Sequence, residues 1–388
     1  MAAFDKDQLA DVVAWRRDFH ANPELLFDVD RTAGIVAEKL RSFGCDEVLE
    51  GFGKTGIVAV IRGGTDTAGR VIGLRADMDA LPIYEMTNLP HRSKVEGKMH
   101  ACGHDGHSAM LLGAARHLAQ TRDFDGTAVL IFQPAEEGAL GAKAMIDDGL
   151  FDRFGIEEVY GMHNMPGLPV GEFALRPGSA MSCCDRFEVV IEGQGGHAAR
   201  PQRSIDPLIA TNHVITALQT IVSRNTDPLE SAVLSVCAIH GGEAFNVIPQ
   251  SVEFKGTIRT LMPDVQDMCE TRFRQIVNSV AEAFGCTARI TYSRDCPITR
   301  NDPVKTGLAA DAAAAIVGDD RVNREIPPSL GSEDFSFMLE KRPGAMIFLG
   351  NGDTANIHHP MYDFNDDAIP FGVGYWTELV ERRLAARG

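Results

Sequence analysis

The densest chemistry in the chain is the run HACGHDGH, residues 100–107, which places a thiol, three imidazoles and a carboxylate among glycines that permit tight backbone turns. Cys102 and His104 stand two residues apart, close enough to converge on one ion. Thiolate and imidazole are good ligands for zinc, and imidazole with carboxylate also suits manganese, cobalt or nickel. A C-x-H pair alone is equally a glycine-rich turn with surface histidines, so a metal site requires ligands from elsewhere in the chain.

Two places supply them. In QPAEEG, Glu136 and Glu137 are adjacent at the end of an apolar strand. Such a pair can divide the labour, one carboxylate binding metal while the other takes a proton from water and later delivers it to the leaving amine. The same pair would also suit the acidic first turn of a helix. The second place is GMHN, where His163 follows the strand EEVYGM, together with the late pair His358-His359 in NIHHPMYDF. Cys102, His104, Glu137, His163 and one of the two late histidines make five protein ligands, more than one tetrahedral zinc needs, so two ions sharing ligands are expected. Asp77 and Asp79 in RADMDALP also end a strand; a carboxylate there can orient a ligating imidazole, and Asp79 is taken as supporting.

These residues must be positioned by elements of regular period. Leu9, Val12, Val13, Arg16 and Phe19 recur at helical spacing until Asn22-Pro23 stops the helix, and a second helix is expected near 31–43. The runs GIVAVIRG, RVIGLRADMD, TAVLIFQPAEE and EVYGMHNM read as strands, with a helical stretch near 107–120 between them. Strands alternating with helices predict an α/β fold: a mixed, mostly parallel sheet with helices on both faces and ligands gathered at the carboxyl ends of its strands. From about residue 183 the order becomes β-α-β-β-α-β, an α+β ferredoxin-like unit ending near 295. After it, GLAADAAAAIV, AMIFLG and GYWTELVERRLAA lack a core of their own and would complete the first domain. The expected organisation is a catalytic domain of 1–182 and 296–388 interrupted by a lid of 183–295.

Composition narrows the function further. A length of 388 residues exceeds the usual growth of a single core, and 44% hydrophobic with 23% charged residues is an ordinary globular balance. The formal charge of -17 repels polyanions, which argues against nucleic acid as a partner. Acidic residues lie early and no apolar run reaches membrane-spanning length, so no membrane partner is expected. Eight dispersed cysteines do not make a disulfide scaffold, and a reducing cytoplasm is the expected compartment.

Taken in order, RRDFHANPEL, RADMDALP, HACGHDGHSAML, QPAEEG, GMHN, GGHAARP, NVIP and HHP resemble the aminoacylase and carboxypeptidase family of metallo-amidohydrolases, nearest to its hippurate hydrolase and auxin-conjugate hydrolase branch. The resemblance spans about residues 16–366. It implies a two-metal catalytic domain and a lid that also assembles the subunits, as a homodimer or homotetramer. It further implies Cys102, His104, Glu137, His163 and His358 as metal ligands, zinc or manganese as the ions with cobalt or nickel compatible, and Glu136 as general base. His197 of GGHAARP matches a residue that reaches the partner subunit's centre to stabilise the oxyanion, and Asn246 and Arg259 match positions that hold the substrate's carbonyl and carboxylate. Two departures stand out: IHHP keeps His359 open as the bearer of the last ligand role, and Cys183-Cys184 occupy a hinge where small or hydroxyl residues are usual. The implied activity is hydrolysis of small N-acyl amino acids to a carboxylic acid and a free amino acid. A dipeptidase or exopeptidase on the same scaffold is the alternative, and a silent metal-binding protein is disfavoured by the retained Glu136. The acyl group is left open.

Overall fold

The computed structural model describes residues 6–138 and 140–386. Two compact units emerge: Met1–Ala180, Arg300–Pro327 and Glu333–Gly388 form one, and Met181–Thr299 with Pro328–Ser332 form the other. The short piece Pro328–Ser332 lies inside the stretch that the sequence assigns to the first domain.

Among the described residues, the first unit is built on an eight-stranded sheet. Across it run Glu47–Phe52, Gly56–Arg62, Thr127–Gln133, Val71–Asp77, Glu158–Pro166, Gly344–Gly352, Phe173–Ala174 and Val322–Asn323. The four central neighbours from Thr127–Gln133 to Gly344–Gly352 pair in parallel, and Glu47–Phe52 and Gly56–Arg62 are antiparallel at one edge. Central strands are apolar without alternation because both faces are covered. Ile57, Ala59 and Ile61 join one core cluster with Phe19, Leu40, Leu111, Ala313 and Trp376. Val58 points the other way, into a cluster with Val129, Ile131, Met145, Phe151 and Met338. Each fully buried Val, Leu, Ile, Phe or Met side chain in these clusters contributes about 1.5–3 kcal/mol.

The helix His104–Thr121 runs through the larger cluster and is buried almost all round. It begins three residues before the expected 107, because Gly103 at φ 93 turns the chain into the helix directly after Cys102. His104 therefore sits in the first turn, and His107 and Ser108 lie one turn further on the same side. The strand Glu158–Pro166 covers the expected run EVYGMHNM, and His163 lies within it and not after EEVYGM, since Gly344–Gly352 continues the ladder and pairs Phe348 with His163.

In the second unit, Cys184–Glu192, Ala232–His240, Ser251–Thr260 and Thr287–Cys296 form a wholly antiparallel sheet in the order second, third, first, fourth. The helices Pro207–Leu218 and Pro263–Ala283 pack their apolar faces on it through Val214, Leu218, Phe273 and Val277 against Phe187, Val189 and Phe254. This is the split β-α-β-β-α-β arrangement. Among the described residues, no helix is long and apolar enough to cross a membrane.

Candidate functional site

Strand ends of the first sheet bring the sequence-predicted residues together. Val71–Asp77 delivers Asp77 and, just beyond it, Asp79; Thr127–Gln133 leads into Glu136 and Glu137; Glu158–Pro166 carries His163; and the turn after Val71–Asp77 returns through Cys102 to His104 at its helix start. Cys102, His104 and His163 have ligand atoms within 4.8 Å of one another, and so do Cys102, Glu137 and His358. The two triads share Cys102. Cys102 Sγ lies 3.4 Å from His163 Nε2, His104 Nε2 lies 4.0 Å from Glu137 Oε1, and His358 Nε2 lies 3.3 Å from the same oxygen.

Of the two late histidines, His358 stands in this group. Its N–H donates to Ala101 O at 2.7 Å and its backbone takes φ 64, which turns the ring toward Glu137. The His359 ring instead accepts from Met361 N at 3.1 Å.

Carboxylates behind the group hold it in register. Asp77 Oδ1 accepts from His107 Nδ1 at 2.7 Å, and its Oδ2 stands 3.6 Å from His104 Nε2. Asp79 accepts from Glu136 N at 3.0 Å and Glu137 N at 3.1 Å, while its Oδ1 lies 3.5 Å from His104 Nδ1. Asp79 thus pins the backbone of the acidic pair and faces the imidazole at once. His163 Nδ1 donates to Asn164 O at 2.7 Å, leaving Nε2 for the thiol side.

The donor set fits divalent cations. His104 is buried with neither ring nitrogen hydrogen-bonded. Buried polar atoms of this kind are costly unless something else satisfies them. Burial pushes the Cys102 thiol up to about 12, so it is neutral unless a cation at the sulfur holds the thiolate. Burial likewise drives His163 well below the usual histidine range, helped by the neighbouring His107, and keeps it a neutral donor.

The adjacent acids are pushed apart electrostatically. Glu136 is raised well above the carboxylate range, first by burial and then by the charges of Glu333, Glu137 and Asp334. Glu137 is lowered: burial opposes this, but a hydrogen bond from His358 and the nearby His104 outweigh it. Two neighbouring carboxyls with opposed environments suit an acid–base role for one and a ligand role for the other.

The remaining expected residues lie in the second unit. His197 is exposed on a short strand that pairs with Val247, and Ala198 N donates to Asn246 O at 3.0 Å, so His197 and Asn246 are neighbours. Arg259 is half-buried on Ser251–Thr260 and donates to Thr257 Oγ1 and to Ile258 O. Cys183 is buried, its Sγ 3.2 Å from Thr260 Oγ1, and all eight cysteines are free thiols.

Sequence reasoning missed a layer beneath the site: Arg75, Gln133, Asn164, Glu333, Asp334 and Tyr362, all buried. The available signal was Arg75 itself, a charge in the apolar strand VIGLRAD two residues before Asp77, which predicts a buried ion pair; its further partners, Glu333 and Asp334, lie far along the chain.

Over 369 residues the chain is 42% identical to the hippurate hydrolase of Campylobacter jejuni, covering 95% of both chains. Over 373 residues it is 40% identical to the N-acetylcysteine deacetylase of Bacillus subtilis, again 95% of both. The crystal structure of a dinuclear metal-binding peptidase of family M20 from Bacillus subtilis matches with a TM-score of 0.86 at 36% identity, over 98% of this chain and 99% of that one. Residues 73–382 match the model of peptidase family M20/M25/M40, and the chain belongs to that family.

Proposed function

We propose that this chain hydrolyses the amide bond of N-acyl amino acids, releasing a carboxylic acid and a free amino acid, with two divalent ions held by Cys102, His104, Glu137, His163 and His358. The relatives named for hippurate and N-acetylcysteine support this substrate class, and the M20 structure named as dinuclear supports the ion count. Zinc or manganese is assigned to the set, and cobalt or nickel is compatible with it. Such ions would supply Lewis acidity toward the acyl carbonyl and toward water.

The split between Glu136 and Glu137 carries the assignment. Glu137 faces His104 and His358, while the Glu136 carboxylate receives the Asp334 N–H at 3.4 Å. Glu136 is therefore assigned to take a proton from the attacking water and return it to the departing nitrogen, a role that a raised carboxyl performs near neutral pH. Asp79 keeps Glu136 and Glu137 in place through their backbone N–H groups. His197 of one subunit is assigned to the developing oxyanion in its partner, Asn246 to the substrate carbonyl and Arg259 to its carboxylate, with the second unit as lid and assembly surface.

The test is a substrate panel: hippurate, indole-3-acetyl-aspartate, several N-acetyl amino acids and a free dipeptide, given to chelator-stripped protein reloaded with zinc or manganese. Metal-restored release of free amino acid from the acylated substrates alone is expected. Turnover of the dipeptide alone would make the protein a peptidase, and no turnover at all would remove the hydrolase assignment.

A further inference from the structure

The loop that carries Glu136 and Glu137 is fastened at both ends by one distant side chain. Gln133 ends the strand before the loop, and Ala142 stands in the first turn of the helix Gly141–Asp147 after it. Asp334, 201 residues beyond Gln133, accepts from Gln133 Nε2 at 2.7 Å through Oδ1 and from Ala142 N at 2.9 Å through Oδ2. A single carboxylate thus closes residues 134–141 into a ring. The backbone N–H of the same Asp334 donates to Glu136 Oε1 at 3.4 Å.

Asp334 is itself locked. Arg75 Nη2 lies 3.2 Å from its Oδ1 and 2.8 Å from Glu333 Oε1, Arg75 Nε donates to Gln133 Oε1 at 2.8 Å, and Arg75 Nη1 donates to Asp77 Oδ2 at 2.8 Å. Arg75, Asp77, Gln133, Glu333 and Asp334 are all buried. Glu136, Glu333 and Asp334 have oxygens near enough to one another for a cation, but the guanidinium already serves Glu333 and Asp334 in that capacity. Through Arg75, the Glu136 loop and the Asp77 carboxylate that meets His107 share one rigid support.

We propose that Asp334 is a positioning residue for the reaction: by stapling the ends of the 134–141 loop and directing its own N–H at Glu136, it sets where the Glu136 carboxylate stands relative to the ligand group. Its carboxylate touches neither substrate nor ion in this role, which rests on Glu136 being the base assigned above. Long-range buried hydrogen bonds of this kind hold a reacting group within the narrow tolerance that chemistry demands.

The test uses the metal-loaded protein and two variants: Asp334→Asn, which keeps the shape but leaves one accepting oxygen where two are used, so that its NH2 opposes a donor at one end of the loop, and Gln133→Ala, which frees one end. The measurements are kcat and KM on hippurate, metal content per subunit, and hydrogen exchange across 134–141. Expected is a kcat fall of about 10–100-fold, the scale of a misplacement near 1 Å. KM should stay within about threefold, metal content should be unchanged, and 134–141 should exchange faster while Gly56–Arg62 does not. Wild-type kcat in either folded, loaded variant overturns the proposal. Loss of metal in step with kcat overturns it as well, because the staple would then serve the ligands. If the unmodified protein hydrolyses no N-acyl amino acid, the function assigned above fails, and the exchange measurement still decides whether Asp334 fastens the loop.

Discussion

Replacing Gly103 by alanine tests the local geometry on which the whole ligand group depends. Gly103 lies between Cys102 and His104 at φ 93, a region that L residues enter at a cost of about 1–2 kcal/mol. A Cβ there would also overlap the Asn164 amide oxygen and come within 2.6 Å of Tyr362 Oη. Neither neighbour can retreat freely: Asn164 Oδ1 bonds His107 Nε2 at 2.7 Å, Asn164 Nδ2 donates to Tyr362 Oη at 2.7 Å, and both residues are buried. Forcing atoms into a packed site costs about 1–3 kcal/mol, so the two effects together come to about 3 kcal/mol. For a unit of this size that lowers Tm by roughly 6–12 °C. Because the strain relaxes most easily by moving Cys102 or His104, metal content should fall too. Differential scanning calorimetry of metal-loaded protein, with metal per subunit measured on the same sample, gives the answer. A Tm within about 2 °C of wild type and full metal occupancy would refute the reasoning, for it would mean that the turn tolerates a side chain.

Glu136→Gln should lower kcat by about 10²–10⁴-fold, the usual contribution of a general base, while mass spectrometry still finds both metals. Cys102→Ala should lose metal and activity together, because Cys102 belongs to both triads; equal metal loss in the two variants would sink the division of roles. His20 gives a pH signature. Burial alone would depress it, but the hydrogen bond to Asp105 and the nearby Glu85 carboxylate raise it to about 9 from 6.5. A raised group stabilises fully below its unfolded value, so this contribution is present below about pH 6.5 and disappears as pH climbs to about 9, at most about 3 kcal/mol. Urea unfolding at the two pH values should show that loss in the wild type and little of it in His20→Gln; equal slopes would contradict the assignment.

Much of the fold was legible because its signals are local. Apolar runs such as GIVAVIR and TAVLIFQ, broken by glycine and polar residues, mark strands buried on both faces, and the switch to alternation at DRFEVVIE marks a sheet covered on one side. Element ends were less legible. His163 lies inside the strand Glu158–Pro166 and not after EEVYGM because the neighbouring strand continues the ladder, and the helix at His104 starts early because Gly103 adopts a left-handed turn. Both depend on partners or dihedrals that residue type alone does not fix.

The sequence by itself determined which chemistry was on offer: Cys102 two residues from His104, Glu136 beside Glu137, and Asp77 and Asp79 at one strand end are facts of near neighbours. The tertiary structure decided how they are used. It brought His358, and left His359 to Met361, at a Glu137 more than 200 residues earlier, and it placed Asp334 across both ends of the loop that carries Glu136. The physical reason is distance along the chain: a carboxylate finds its partner through the packing of a sheet and its helices, and nothing in the residues adjoining Asp334 specifies that the partners are Gln133, Ala142 and Arg75.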